Sequence, residues 1–127
     1  MSASLRARYL GDSIATASPP QLLVMLYDRL ALDLERGHAA MAAGDRETAS
    51  TQIQHAQEII LELQASLKVE IWDGGPRLAA LYAWLLSELL RANVKGDVRR
   101  LNDCRQIVEP LRDAWREAAA SLASSPV

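Results

Sequence analysis

The chain has 127 residues, half of them hydrophobic, and a formal net charge of -2. This length suits one domain with one core, and the balanced charge excludes the basic surface that nucleic-acid binding requires. No apolar run approaches the ~20 residues that span a bilayer, so we expect no insertion into a membrane. Without a recognisable signal peptide, and with Cys104 as the only cysteine, the protein is expected in the cytosol.

Residues 1–17 form a predicted flexible N-terminal arm. Leu5 and Tyr9, and then Leu10 and Ile14, are spaced four residues apart and would form one weak apolar face on a helix. Helices this short seldom persist in water unaided. We therefore expect the arm to become ordered only when it docks on the rest of the chain.

Two helices are predicted next, at the start of a bundle that spans residues 18–123. Ser18 can cap the first helix, predicted over residues 19–42, and Gln21 can reach back to it as in a capping box. Two prolines fall in the first turn of this helix, where their missing N–H is not needed. Gly44 and Asp45 predict a left-handed helix end followed at once by a new N-cap. Apolar residues then recur at helical spacing until the second helix ends near Lys68.

A loop over residues 69–76 contains Ile71 and Trp72, which we expect to cover one end of the bundle. The third helix, predicted over residues 76–94, is apolar almost all round and so must be covered on more than one side. Gly96 and Asp97 repeat the Gly-Asp reversal before the fourth helix.

The fourth helix contains Pro110, which predicts a kink unless two helices meet there. Asp113 and Arg116 are spaced for an ion pair on its polar face. Its predicted buried stripe consists of Val98, Leu101, Cys104, Val108, Leu111, Trp115, Ala118 and Leu122. Residues 124–127 form a predicted disordered tail, and the whole pattern indicates an all-α protein, an antiparallel four-helix bundle.

The polar residues contain little that resembles a catalytic site. Glu35 and His38 have the Glu-x-x-His spacing of di-iron bundles, but His55 and Glu58 come in the reverse order. We therefore predict no catalytic residue, no metal and no cofactor, and we predict that the protein is not an enzyme. Two alternatives stay open, namely a di-iron-like oxidoreductase and a purely structural helical dimerisation module.

Several segments together resemble the flagellar secretion chaperones of the FliS family. Tyr9 is followed by Thr16-Ala17-Ser18-Pro19-Pro20-Gln21-Leu22-Leu23-Val24-Met25-Leu26-Tyr27-Asp28, which is similar to the opening motif of that family. Further similar segments are Gly44-Asp45, residues 56–60, Leu81-Tyr82, residues 91–93 and residues 111–115. In order and spacing the resemblance covers about residues 9–116.

The resemblance implies a cytosolic export chaperone that binds the C-terminal segment of flagellin, prevents premature polymerisation and delivers it to the flagellar type III export apparatus. It also implies contacts with an export-gate membrane protein and with regulatory proteins of flagellar assembly. The apolar surplus of the third helix favours a partner helix as its cover. The predicted partner-binding residues are Tyr9, Leu10, Ile14, Tyr27, Ile59, Tyr82, Trp84, Leu86 and Trp115.

Overall fold

Four α-helices make up the computed structural model, which describes residues 19–67 and 74–124. They are α1 (Pro19–Ala42), α2 (Arg46–Ser66), α3 (Gly75–Lys95) and α4 (Val98–Ser124). α1 packs on α2 and α4, and α3 packs less extensively on the same two helices, so α1 and α3 lie diagonally opposite. The predicted all-α helical bundle is confirmed.

Both predicted Gly-Asp reversals are present. Gly44 and Gly96 have positive φ angles of 82° and 63°, which end α1 and α3 in the left-handed conformation. The side chain of Asp45 accepts a hydrogen bond from the Thr48 backbone N–H at 3.1 Å, so it caps α2. Asp97 accepts an equivalent bond from the Arg100 backbone N–H at 3.1 Å, which begins α4.

The predicted helix bounds differ from the observed ones in detail. α2 ends at Ser66, two residues before the predicted Lys68, and α3 begins at Gly75. α4 continues through Pro110, so two helices do not meet at this proline. The predicted Ser18 cap and the predicted cover formed by Ile71 and Trp72 lie outside the described residues.

The core is built from the inward stripes of all four helices, and it is almost entirely aliphatic. Its largest fully buried aliphatic side chains include Leu30, Leu34, Ile53, Ile60, Leu85, Leu89 and Leu101. Cys104 is also fully buried, and burial raises the pKa of its thiol to about 12. A thiol that stays protonated at neutral pH is a poor nucleophile, so Cys104 acts as a core residue.

Asp33 and Glu62 are the buried carboxylates of the described residues, and Asp33 lies between α1 and α2. Asp33 has no exposed surface, accepts a hydrogen bond from Arg29 Nε at 3.0 Å, and contacts His55 Nδ1 on α2. Burial raises the pKa of Asp33, whereas the contacts with His55 and Arg29 lower it. The histidine and the arginine thus provide the partners that a buried carboxylate requires.

Candidate functional site

The outward surface of α3 carries exposed apolar side chains. Trp84 is 41% exposed, Leu90 57% and Val94 72%, all on this one helix. Among residues 19–67 and 74–124, α3 packs mainly on α2 and α4, and its outward side is exposed. Several exposed apolar residues on one helix favour an interaction site on this helix.

The helices that pack on α3 carry exposed apolar residues of their own. Leu61 on α2 is 41% exposed, and Ile107 on α4 is 39% exposed. A shallow groove of about 440 Å³ lies between α3 and α4. It is lined by Leu81, Gln106, Ile107, Pro110 and Leu111. Leu81 of α3 and apolar residues of α4 therefore meet in this groove.

A second apolar groove, of about 290 Å³, lies at the other side of the bundle between the start of α1 and the end of α4. It is lined by Pro20, Leu23, Trp115, Ala118, Ala119 and Leu122. The prediction that Leu122 belongs to the core is wrong, because its side chain is 64% exposed. Among the described residues, only Pro20 and Leu23 of α1 line the groove opposite these last turns of α4.

The predicted partner-binding residues fall into four groups. Tyr27, Ile59 and Tyr82 are buried in the core, so in this conformation their side chains present almost no surface to a partner. Leu86 and Trp115 are half-buried against the core. Trp84 is the most exposed of the six described residues, whereas Tyr9, Leu10 and Ile14 lie outside the described residues. Partner binding by all nine stays a prediction.

The two buried tyrosines link the diagonally opposite helices. Tyr27 on α1 and Tyr82 on α3 share a hydrogen bond of 2.7 Å between their hydroxyl groups. The Trp115 ring on α4 lies 6.1 Å from the Tyr27 ring, centroid to centroid, within the range of aromatic pairs. Burial raises the pKa of both phenols, so both hydroxyl groups stay neutral and paired at ordinary pH.

The histidines considered as metal ligands have other neighbours. His38 Nδ1 lies 3.4 Å from an Arg105 guanidinium nitrogen on α4, and His55 contacts Asp33. Glu35 is exposed to solvent. Within residues 19–67 and 74–124, no group of three or more potential protein ligands is arranged to hold a metal ion.

Electrostatic contacts join α4 to its neighbours at the surface. Arg100 binds both oxygens of Glu88 on α3 at 3.0 Å, and Arg116 contacts Asp28 on α1 at 2.5 Å. The predicted Asp113–Arg116 pair is wrong, because Asp113 is instead paired with Arg112. Of the described helices, none is long and apolar enough to cross a membrane.

Sequence reasoning missed several residues of the apolar surface, including Leu61, Val94 and Ile107. A signal for them existed, because each is a large apolar residue that lies outside the main core stripe of its helix. The pattern could not identify them alone, since it does not show which faces of a helix are covered.

Comparisons with known proteins give one consistent result. The sequence model of the family described as Flagellar protein FliS matches residues 1–122. A flagellar secretion chaperone FliS of Bacillus subtilis (strain 168) is 31% identical over 113 residues, which cover 89% of this chain and 84% of that protein. The protein of the same name in Escherichia coli (strain K12) is 30% identical over 120 residues, which cover 91% of this chain and 88% of that protein.

Proposed function

This chain belongs to the FliS family of flagellar proteins, and we propose that it is a cytosolic export chaperone for flagellin. It would bind the C-terminal segment of flagellin, prevent premature polymerisation and deliver the subunit to the flagellar type III export apparatus. The observation that carries this proposal is the exposed apolar surface of α3, with Trp84, Leu90 and Val94. An amphipathic segment of another protein is the natural cover for such a surface.

Binding would be coupled to folding of the client. An unstructured segment that becomes helical on the bundle pays roughly 2–5 kcal/mol in ordering, which offsets part of the energy of burying apolar surface. This cost keeps the complex releasable at the export gate, even though the contact area is large. Trp84 supplies a rigid aromatic anchor, the residue type that dominates binding energy in many interfaces.

The N-terminal arm would compete with the client. Leu5, Tyr9, Leu10 and Ile14 would cover apolar surface of the bundle until flagellin displaces them. Tethering gives the arm an effective concentration of order mM, so even weak docking would mask the surface. A chain that lacks residues 1–15 should therefore bind a flagellin tail more tightly, and weaker or unchanged binding would contradict self-masking.

Contacts with an export-gate protein and with regulatory proteins of flagellar assembly are part of the same proposal. We base them on the resemblance to the family and not on a particular surface of this bundle. The proposed role needs no catalytic group, no cofactor and no metal. The buried, protonated thiol of Cys104 and the paired His55 fit a protein whose polar interior serves packing.

The deciding experiment is titration of the full chain with a labelled peptide that carries the flagellin C-terminal segment. Light scattering should give a one-to-one complex. Leu90→Asp should abolish binding and leave the thermal unfolding transition unchanged, because the Leu90 side chain is mostly exposed. Leu86→Asp is a weaker test, because Leu86 packs against the core and its replacement would also lower stability.

Ala39→Asp is the matched control. Ala39 is exposed on α1, diagonally opposite α3, so this variant gains the same charge away from the proposed surface. It should bind the peptide like the unaltered chain. Absence of peptide binding by the unaltered chain, or a dimer that covers α3 with a second copy, would overturn the chaperone proposal in favour of a structural module.

A further inference from the structure

The outward side of α3 has the residue pattern of a coiled-coil partner face. Ala80, Ser87 and Val94 are spaced seven apart, as are Ala83 and Leu90 between them, and all five side chains are exposed. Steps of three and four residues along this row match the a and d positions of a heptad repeat. The row points away from the core, because Leu78, Leu85 and Ala92, at the f positions, are buried.

The flank of this row is charged with one sign. Arg77, Trp84 and Arg91 are spaced seven apart at the e positions, and all three are exposed. The opposite flank, at the g positions, contains only the uncharged residues Ala79, Leu86 and Asn93. In coiled coils the e and g positions hold the charges that select the partner and its orientation.

Arg91 forms only a long ion pair with Glu88, which Arg100 binds more closely. Glu88 accepts two hydrogen bonds at 3.0 Å from Arg100 on α4, whereas Arg91 lies 3.9 Å from it. The Arg91 side chain is 61% exposed. The chain as a whole has a net charge of -2, so this cationic flank is a local feature and not a reflection of overall composition.

We propose that α3 binds its partner as an amphipathic helix whose flank facing Arg77 and Arg91 carries acidic residues. The proposal rests on the chaperone function and specifies the chemistry of the bound segment. The two arginines are fourteen residues apart, which is about 21 Å along a helix, so the matching acids lie two heptads apart. A nucleic acid is excluded as the partner of this surface. Its phosphates would require more cationic side chains, and it would not require the uncharged row from Ala80 to Val94.

The small residues of the row determine which side chains of a partner helix fit against it. Ala80, Ala83 and Ser87 occupy the first half of the row, whereas Leu90 and Val94 occupy the second half. A partner helix can approach closely over the first half and must fill it with large apolar side chains. Trp84, between the two arginines, would cover the same seam from the cationic flank.

The test uses the full chain and a fluorescent peptide with the flagellin C-terminal segment, at low salt and at 0.15 M salt. Arg77→Glu/Arg91→Glu should weaken binding by about tenfold at low salt, and the loss should shrink at 0.15 M, where exposed charges are screened beyond about 8 Å. The single variant Arg91→Glu should weaken binding less than the double variant. Arg36→Glu, which makes the same charge change at an exposed position of α1, should have no effect.

A peptide with reversed charges provides the decisive test of the acidic flank. When its Asp and Glu residues are replaced by Lys, it should bind Arg77→Glu/Arg91→Glu more tightly than the unaltered chain. The unaltered chain and Arg77→Glu/Arg91→Glu could instead bind each peptide equally well, while Leu90→Asp binds neither. That result would contradict the proposed acidic flank of the partner but not the chaperone function. No binding of either peptide to the unaltered chain would overturn both.

Discussion

Removing one hydroxyl from the Tyr27–Tyr82 pair should cost more stability than removing both. Their hydrogen bond of 2.7 Å is buried between α1 and α3, and each tyrosine is at most 2% exposed. Tyr27→Phe leaves the Tyr82 hydroxyl without this partner, and an unpaired buried hydroxyl costs about 1–3 kcal/mol. Tyr82→Phe should cost somewhat less, because the Tyr27 hydroxyl also hydrogen-bonds to the Trp115 side chain.

The double variant Tyr27→Phe/Tyr82→Phe removes both polar groups together and should lose only about 1 kcal/mol or less. The double-mutant cycle then gives a coupling energy of about 1 kcal/mol or more between Tyr27 and Tyr82. Urea unfolding followed by circular dichroism at 222 nm measures all four chains, and a constant m-value confirms that the folded and unfolded states are comparable. Additive losses in the two single variants would refute the assignment of this bond.

The pH dependence of stability gives an independent readout of the same pair. Burial raises the pKa of both phenols above the ordinary value of 10.0. The stabilisation is therefore complete below pH 10 and is lost as the pH rises beyond it, because the unfolded tyrosines ionise first. From pH 9 to pH 11 the unaltered chain should lose more stability than Tyr27→Phe/Tyr82→Phe, and an equal loss would contradict the buried, neutral state.

Three further predictions concern the backbone and the thiol. Gly37→Ala should raise stability by about 0.5–1 kcal/mol, since Gly37 is helical and an added Cβ would lie 3.5 Å from Gln52, an ordinary contact. Gly44→Ala and Gly96→Ala should each lower it by about 1–2 kcal/mol in thermal unfolding, because both glycines have positive φ. Cys104 should react with a thiol reagent at pH 8 only at the rate of unfolding, and fast labelling would show an exposed thiol.

Local signals were sufficient to predict the four helices. Gly44 with Asp45, and Gly96 with Asp97, encode both tight reversals within a few residues, because only glycine adopts the left-handed end cheaply and aspartate caps the next helix. A long helix with Pro110 was predicted less well. Proline costs a helix one hydrogen bond, but the packing of α4 on two neighbours overrides that local preference.

The candidate site depended on tertiary packing and was less accessible to sequence reasoning. α3 is apolar on nearly every face, so periodicity could not separate the buried Tyr82 from the exposed Trp84 two residues later. The apolar periodicity placed Leu122 on the inward face of α4. Periodicity does not show how far a neighbouring helix extends along that face, so it could not predict that Leu122 is exposed. Arg116 likewise forms its ion pair with Asp28 on α1 and not with Asp113 on its own helix.

The solvent faces of α1 and α3 differ, and this difference favours a partner-binding role for the apolar row on α3. Both helices pack on α2 and α4, so the fold makes similar demands on them. The exposed positions Glu35 and Arg36 give α1 an ordinary charged surface, whereas Leu90 and Val94 give α3 an apolar one. Folding gains little from exposed apolar side chains, so substitutions at these two positions should alter partner binding while the free energy of unfolding stays within about 0.5 kcal/mol. A large loss of stability in Leu90→Asp would instead assign the row to the fold.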